Sequence, residues 1–283
     1  MRFANLAGRL VLVTPDDLAV DVEAASDGRF GAEPQSAFDD WDALVTWASA
    51  ADLTAGTAFT SDALGPPVPR PAQVFAIGIN YAEHAEEAGY PSESLPVTFT
   101  KFASCLTGPV AEVALPTTTV DWEVEMVVVI GRTASRTPRE RGWDHVAGVT
   151  VGQDLSERTG QLLGAKPQFS LAKSYPGFGP TGPWLVTPDE LPDRDDLAIS
   201  CRLDDQTMQE SRTSALVYDV PELVARLSSV CTLLPGDLVF TGTPAGVGNA
   251  RTPKLFLTPG STLTSSIEGI GTITQTFTRP DPR

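Results

Sequence analysis

The chain has 283 residues, a length that suits roughly two domains and allows burial of about three quarters of the unfolded surface. Its make-up, 41% hydrophobic, 20% charged and 7% aromatic, excludes a disordered, collagen-like or coiled-coil protein. Thirty-six acidic residues against twenty basic ones leave a net charge of −16, a field that repels nucleic acid and anionic membranes. No apolar run approaches the ~20 residues of a bilayer span, and Met1 to Val13 lacks a signal-peptide pattern. A soluble, cytoplasmic protein is therefore expected, with no nucleic-acid or membrane partner. Cys105, Cys201 and Cys231 are odd in number and far apart, so they read as thiols and not as a disulfide framework or zinc ligands.

Twenty-four prolines and 24 glycines punctuate many short β-branched runs, which predicts strands joined by turns, a mostly β architecture of the α+β kind. Arg9 to Val13 and Leu18 to Val22 flank Pro15-Asp16-Asp17 and form the first predicted hairpin. Ala37, Phe38, Trp41, Leu44, Val45 and Ala48 recur at helical spacing, with Ser36 available as a cap. The proline-rich stretch 63–71 reads as a linker, so a small N-terminal α+β domain, 1–68, is expected ahead of a catalytic domain, 69–283. Further strands are predicted at Val74 to Ile79, Val124 to Ile130, Val146 to Val151, Trp184 to Val186, Leu238 to Thr241 and Leu263 to Ile267. Pro221 to Ser228 reads as a late helix, with Asp219 and Glu222 as a capping pair.

Chemistry concentrates in three places. In Asp121-Trp122-Glu123-Val124-Glu125, strand alternation puts the three carboxylates on one face and Trp122, Val124 and Met126 on the other. An isolated E-x-E fits a solvated face, but this one runs into the unbroken apolar stretch Met126 to Ile130, which implies burial on both faces. Carboxylates at the mouth of such a strand need a cation to stay ionised. Asp154 follows another apolar strand, and Glu123, Glu125 and Asp154 together make an all-oxygen set for Mg²⁺, Mn²⁺ or Ca²⁺. By spacing alone the set fits either a metal site or solvated strand ends.

Asn80 to Gly89 reads as a short helix capped by Asn80, on which His84 and Glu87 stand one turn apart. That is the arrangement of a general base with its orienting carboxylate, and equally of a surface histidine on a polar helix. Little more than two turns long, the helix could serve as a lid. His145, at a strand start, reads as structural. Lys101 and Lys173 read either as solvated or as members of the carboxylate pocket; with a divalent ion, both lysines would leave that pocket net positive and attractive to a small anion. Thr241 to Gly248 is a glycine-rich loop without the spacing of a Walker or dinucleotide motif, so it reads as a tight turn or as backbone N–H groups that hold a carboxylate.

Taken in order, these pieces resemble the fumarylacetoacetate hydrolase family, in its bacterial acylpyruvase and hydroxyhepta-diene-dioate isomerase-like branch, from about Arg70 to the C-terminus. The matching runs are Ile77 to Tyr81 with His84, Phe99-Thr100-Lys101, Asp121 to Glu125, Gly152 to Arg158, Ala172-Lys173-Ser174, Gly182-Pro183-Trp184, Pro235-Gly236-Asp237 and Thr241 to Gly248. The resemblance implies a mixed β-sandwich roll with short peripheral helices, and a homodimer. It also implies Glu123, Glu125 and Asp154 as metal ligands, His84 and Glu87 as a water-activating dyad, and Lys173 as a catalytic cation. Tyr81, Lys101, Arg158, Gln161, Gly242 and Thr243 would then contact a small anionic oxo-acid substrate. Phe102, Glu157 and Pro176-Gly177 depart from the common pattern and bear on substrate identity. The implied reaction is metal-dependent carbon–carbon hydrolysis of a 2,4-dioxo acid: an acylpyruvate, fumarylpyruvate or fumarylacetoacetate-like compound. The alternatives are a lyase or isomerase on the same enolate chemistry (oxaloacetate decarboxylase, hydroxyhepta-diene-dioate or hydroxymuconate-type isomerase, sugar-acid dehydratase) and a silent oxo-acid-binding protein.

Overall fold

The computed structural model describes residues 1–82, 97–165 and 167–280. Its strands, in chain order, begin with β1 (Arg2–Leu6), β2 (Arg9–Val13), β3 (Ala19–Asp21), β4 (Leu64–Gly65), β5 (Val74–Gly78) and β6 (Val97–Thr100). They continue with β7 (Leu106–Thr107), β8 (Val110–Ala114), β9 (Val120–Asp121), β10 (Val124–Ile130), β11 (Val146–Gln153) and β12 (Ser156–Glu157). The last six are β13 (Gly179–Val186), β14 (Ala198–Leu203), β15 (Gln206–Arg212), β16 (Leu238–Phe240), β17 (Thr262–Ile267) and β18 (Gly271–Thr278).

Eleven strands make the larger sheet, ordered β3-β2-β1-β13-β11-β10-β16-β5-β6, with β4 on β1 and β7 on β13. Most of its pairs are antiparallel; β16 with β5 and β13 with β7 are parallel. A second sheet, β15-β14-β17-β18-β8, is antiparallel except at β18 with β8. A two-stranded ribbon, β9 with β12, stands apart from both. The fold is mostly β and mixed in strand direction, as expected.

The reason strand β10, Val124–Ile130, sits at the centre is visible in its packing. All seven residues are buried. On one face Val124, Met126, Val128 and Ile130 pack with Ile199, Leu263 and Ile273 of the second sheet. On the other, Val127 and Val129 pack with Leu238, Phe240, Trp41 and Leu44. A strand covered on both sides has no polar face to alternate, which is why its sequence reads as a continuous hydrophobic stretch.

The N-terminal residues share this sheet and core. Strand β1, which sequence patterning does not reveal, pairs with β13 through Arg2↔Val186 and Phe3↔Leu185, and the predicted hairpin forms as β2 with β3. Helices α1 (Val22–Ala25) and α2 (Trp41–Ala48) follow. The helix expected from Ala37 begins later, because Ser36 lies inside a 3₁₀ turn, Pro34–Phe38; the Asp40 carboxylate accepts the Ala43 N–H and caps α2. Three more helices are α3 (Arg158–Gln161), α4 (Phe169–Ala172) and α5 (Val220–Val230). Asp219 caps α5 as predicted, accepting from the Glu222 N–H at 2.9 Å, while the Glu222 side chain turns to Arg226. His145 lies beside Thr137 and the Arg132 carbonyl. Among the described residues no helix is long and apolar enough to cross a membrane.

Candidate active site

Between β9 and β10 the ladder breaks at Trp122 and Glu123, and the break is held open by buried side chains from distant elements. Gln153 at the end of β11 accepts the Glu123 N–H at 2.9 Å and donates to Ser265 at 2.8 Å. Gln209 of β15 accepts the Val124 N–H at 3.1 Å and donates to Thr243 Oγ1 and the Pro244 carbonyl, both at 2.7 Å. The Trp122 indole, fully buried, donates to the Gly246 carbonyl at 3.3 Å. Asp154 is tied directly to this break, its N–H donating to the Glu123 carbonyl at 2.9 Å.

The result is one buried carboxylate cluster. Glu123, Glu125 and Asp154 each offer an oxygen, and these oxygens lie within 4.8 Å of one another. Three cations surround them. Lys173 Nζ sits 2.7 Å from Glu123 Oε2 and 2.6 Å from Asp154 Oδ2. Lys101 Nζ sits 2.7 Å from Asp154 Oδ1 and also donates to the Lys173 carbonyl. Arg158 spans Asp121 Oδ1 at 2.5 Å and Glu123 Oε1 at 2.7 Å. Both lysines are 2% exposed, so the structure decides for the pocket and against solvation.

Asp121, Glu123, Glu125 and Asp154 thus face Lys101, Lys173 and Arg158, and among the described residues one buried negative charge stays uncompensated. Its location is Glu125, which has no cation within ion-pair distance among the described residues and accepts only the Gly242 N–H, at 2.7 Å. Burial first, and then the charges of Asp154 and Glu123, push its carboxyl well above the usual range. Burial works against the Lys173 charge, but Asp154 and Glu123 outweigh it and raise its affinity for the proton. The Tyr81 hydroxyl, also buried, makes no hydrogen bond among the described residues; burial and the Glu125 charge keep it protonated. A hard divalent cation fits this donor set: all-oxygen, buried, short of one positive charge, with an idle hydroxyl at its edge.

The remaining predicted residues fall around this cluster. Gly242, at φ +101°, brings its N–H onto Glu125, and an added Cβ would meet Asn80 at 2.7 Å. Thr243 lines the cavity, but its hydroxyl is spent on the Val124 carbonyl. Arg158 opens α3, and its Nη1 donates to Gln161 Oε1 at 2.9 Å. Glu157, one of the departures from the family pattern, accepts the Thr159 and Gly160 N–H groups and the Thr117 and Thr119 hydroxyls, fixing the turn that carries Arg158. Asn80 does not stand free: its carboxamide clasps Tyr218 and the Thr241 carbonyl. Just before it, Ile79 adopts φ +61°, a strained backbone for a β-branched residue at the cavity wall. His84 and Glu87 lie outside the described residues.

Sequence reasoning missed Gln153 and Gln209 as supports. Gln153 stands beside Asp154, a weak signal; Gln209 lies in a polar strand and had none. Gln209→Leu leaves the Val124 N–H and the Pro244 carbonyl buried without partners, an expected cost of about 2–4 kcal/mol and ~10-fold in Mn²⁺ affinity. Chemical denaturation and calorimetric titration check both; unchanged values would remove Gln209 from the support of the site.

Above the cluster lies a cavity of about 380 Å³, walled by Ile77, Ile79, Phe99, Leu162, Phe169 and Val247. A family model, fumarylacetoacetate (FAA) hydrolase C-terminal, matches residues 73–278, and the chain belongs to the fumarylacetoacetate hydrolase family. An HpcE-like protein of Mycobacterium smegmatis has a solved structure with TM-score 0.95 and 53% identity, covering 99% of this chain and 100% of that one. The mitochondrial oxaloacetate tautomerase FAHD2A of Bos taurus is 42% identical over 209 residues, 73% of this chain and 67% of its own. The maleylpyruvate hydrolase of Sphingobium sp. SYK-6, solved with manganese(II) and pyruvate, matches at TM-score 0.77 and 27% identity, over 99% of this chain and 100% of that one. The family thus includes hydrolases, isomerases and oxaloacetate tautomerases.

Proposed function

We propose that this chain is a divalent-metal-dependent hydrolase that cleaves the C3–C4 bond of a 2,4-dioxo acid of the acylpyruvate kind. The observation that carries the reading is the buried cluster of Glu123, Glu125 and Asp154, one positive charge short, beneath a cavity larger and more apolar than a bare pyruvyl group needs. Mg²⁺ or Mn²⁺ held by those three carboxylates would supply Lewis acidity at the pyruvyl end and positive charge where an enolate builds.

The chain's own groups do the rest. Arg158 and Gln161 flank the carboxylate end of the substrate. His84, oriented by Glu87, takes a proton from water, whose oxygen attacks C4. The C3–C4 bond breaks, its electron pair goes to the pyruvate enolate, and the proton returns to C3, giving pyruvate and the free acid. The Lys173 ammonium and the Tyr81 hydroxyl offer donors to the oxygen on which negative charge develops. Similarity to the bovine oxaloacetate tautomerase supports a second reading, proton transfer within an oxo acid with no attacking water.

Mn²⁺-loaded protein should release pyruvate and acetate in equal amounts from 2,4-dioxopentanoate, and His84→Ala should lower kcat by about 100-fold or more with Mn²⁺ affinity unchanged. Enol–keto interconversion of oxaloacetate without any dioxo-acid cleavage would move the assignment to the tautomerase.

A further inference from the structure

The cavity has a polar floor and mostly apolar walls, with Asn249 as a polar residue among them. The cations that line it, among the described residues, are Arg158 and Lys173. Each is already engaged at the floor: Arg158 through Nε to Asp121, Nη1 to Gln161 and Nη2 to Glu123, and Lys173 to Glu123 and Asp154. With a divalent ion in place, four carboxylates would face three side-chain cations and two metal charges. The floor then carries one positive charge in excess, enough for one substrate carboxylate.

Moving outward, the chemistry turns apolar. Lys173 Nζ lies 5.2 Å over the Phe99 ring, and Phe99 meets Phe169 edge-on at 5.6 Å. Ile77 and Val247 also face the cavity, and Leu162 at its rim is 59% exposed, next to Leu163 at 67%. Two neighbouring leucines left this open gain from an apolar group laid against them. Lys254 is near, its ammonium 2.8 Å from Asn249 Oδ1, but it does not line the cavity.

We propose that the cavity selects dioxo acids with a single carboxylate and an uncharged apolar tail, and disfavours tails that end in a second carboxylate. This rests on the oxo-acid reading of the floor. A terminal carboxylate would leave water for mostly apolar walls with no free cation among the described residues to meet it, whereas each added methylene would gain about threefold to fourfold in affinity.

The test compares 2,4-dioxoheptanoate with 2,4-dioxoheptanedioate, equal in chain length and differing in the terminal group. Each is measured by turnover and by calorimetric titration into Mn²⁺-loaded protein. The monoacid should bind at least tenfold tighter and have the higher kcat/KM, and Leu162→Lys should narrow or invert that ratio. Cleavage of neither acid with the monoacid still tenfold tighter would sink the hydrolase and leave the tail preference standing. Equal or tighter binding of the diacid would overturn the preference whatever the turnover. Loss of such a diacid preference in Lys254→Ala would place the cation that met it at Lys254. Binding of neither acid would overturn both readings.

Discussion

Lys173→Met is expected to destabilise the protein by about 3–5 kcal/mol when no divalent ion is present. The ammonium lies on Glu123 and Asp154, at 2.7 and 2.6 Å, with almost no exposure to solvent. Methionine fills similar space but leaves both oxygens without their cation, and the buried deficit of one positive charge becomes two. Coulombic repulsion in a site that excludes water is then relieved only by unfolding, by protonation of the carboxylates, or by an added cation. Mn²⁺ should therefore raise the melting temperature of the variant by more than it raises that of the parent. Activity should nevertheless fall by ~100-fold or more, because a preorganised donor at the developing enolate is gone. Differential scanning calorimetry in EDTA and in Mn²⁺ reads the first effect, and steady-state kinetics the second. Equal stability of variant and parent in EDTA would contradict the charge account of the site.

Glu125→Gln has the opposite expected sign for the protein free of metal. Among the described residues Glu125 meets no cation and is held only by the Gly242 N–H, at 2.7 Å, while its burial and its carboxylate neighbours disfavour its charge. Glutamine keeps the shape and the acceptor oxygen and removes the unfavourable ionisation, so stability in EDTA should be unchanged or higher. The cost appears with the ion: Mn²⁺ affinity should drop ~100-fold or more, and the Mn²⁺-induced rise in melting temperature should vanish. A variant that loses stability in EDTA, or keeps the parent's Mn²⁺ affinity, would exclude Glu125 as the charge that calls for the cation.

These two substitutions act on residues of unequal legibility. Glu125 stands out in the sequence because a carboxylate directly before five consecutive buried apolar residues has no ordinary surface role. Lys173 lies in a stretch where a solvated lysine and a buried one look alike; what buries it is the approach of α4 to β6, a contact between segments about 70 residues apart. The same distinction runs through the fold. The apolar run Met126 to Ile130 declares itself as part of a strand covered on both faces, whereas the pairing of β1 with β13 depends on partners more than 180 residues apart and leaves no local trace. Local competition also decides details: Asp40 caps α2 in place of Ser36 because Pro34 starts a 3₁₀ turn that consumes Ser36. Arg158 enters the sequence reading only through the family resemblance, and its bridging of Asp121 and Glu123 follows from the turn built by Glu157. Gln153 and Gln209 support the break between β9 and β10 through backbone groups, and a side chain that serves backbone groups far along the chain carries no motif.

The central claim is that Glu123, Glu125 and Asp154 hold a catalytic divalent ion. Anomalous diffraction from crystals soaked in Mn²⁺ tests it most directly. The account predicts one strong peak bounded by the carboxylate oxygens of those three residues, lost in Glu125→Gln crystals soaked in the same way. A peak elsewhere, or an unchanged peak in the variant, would contradict it.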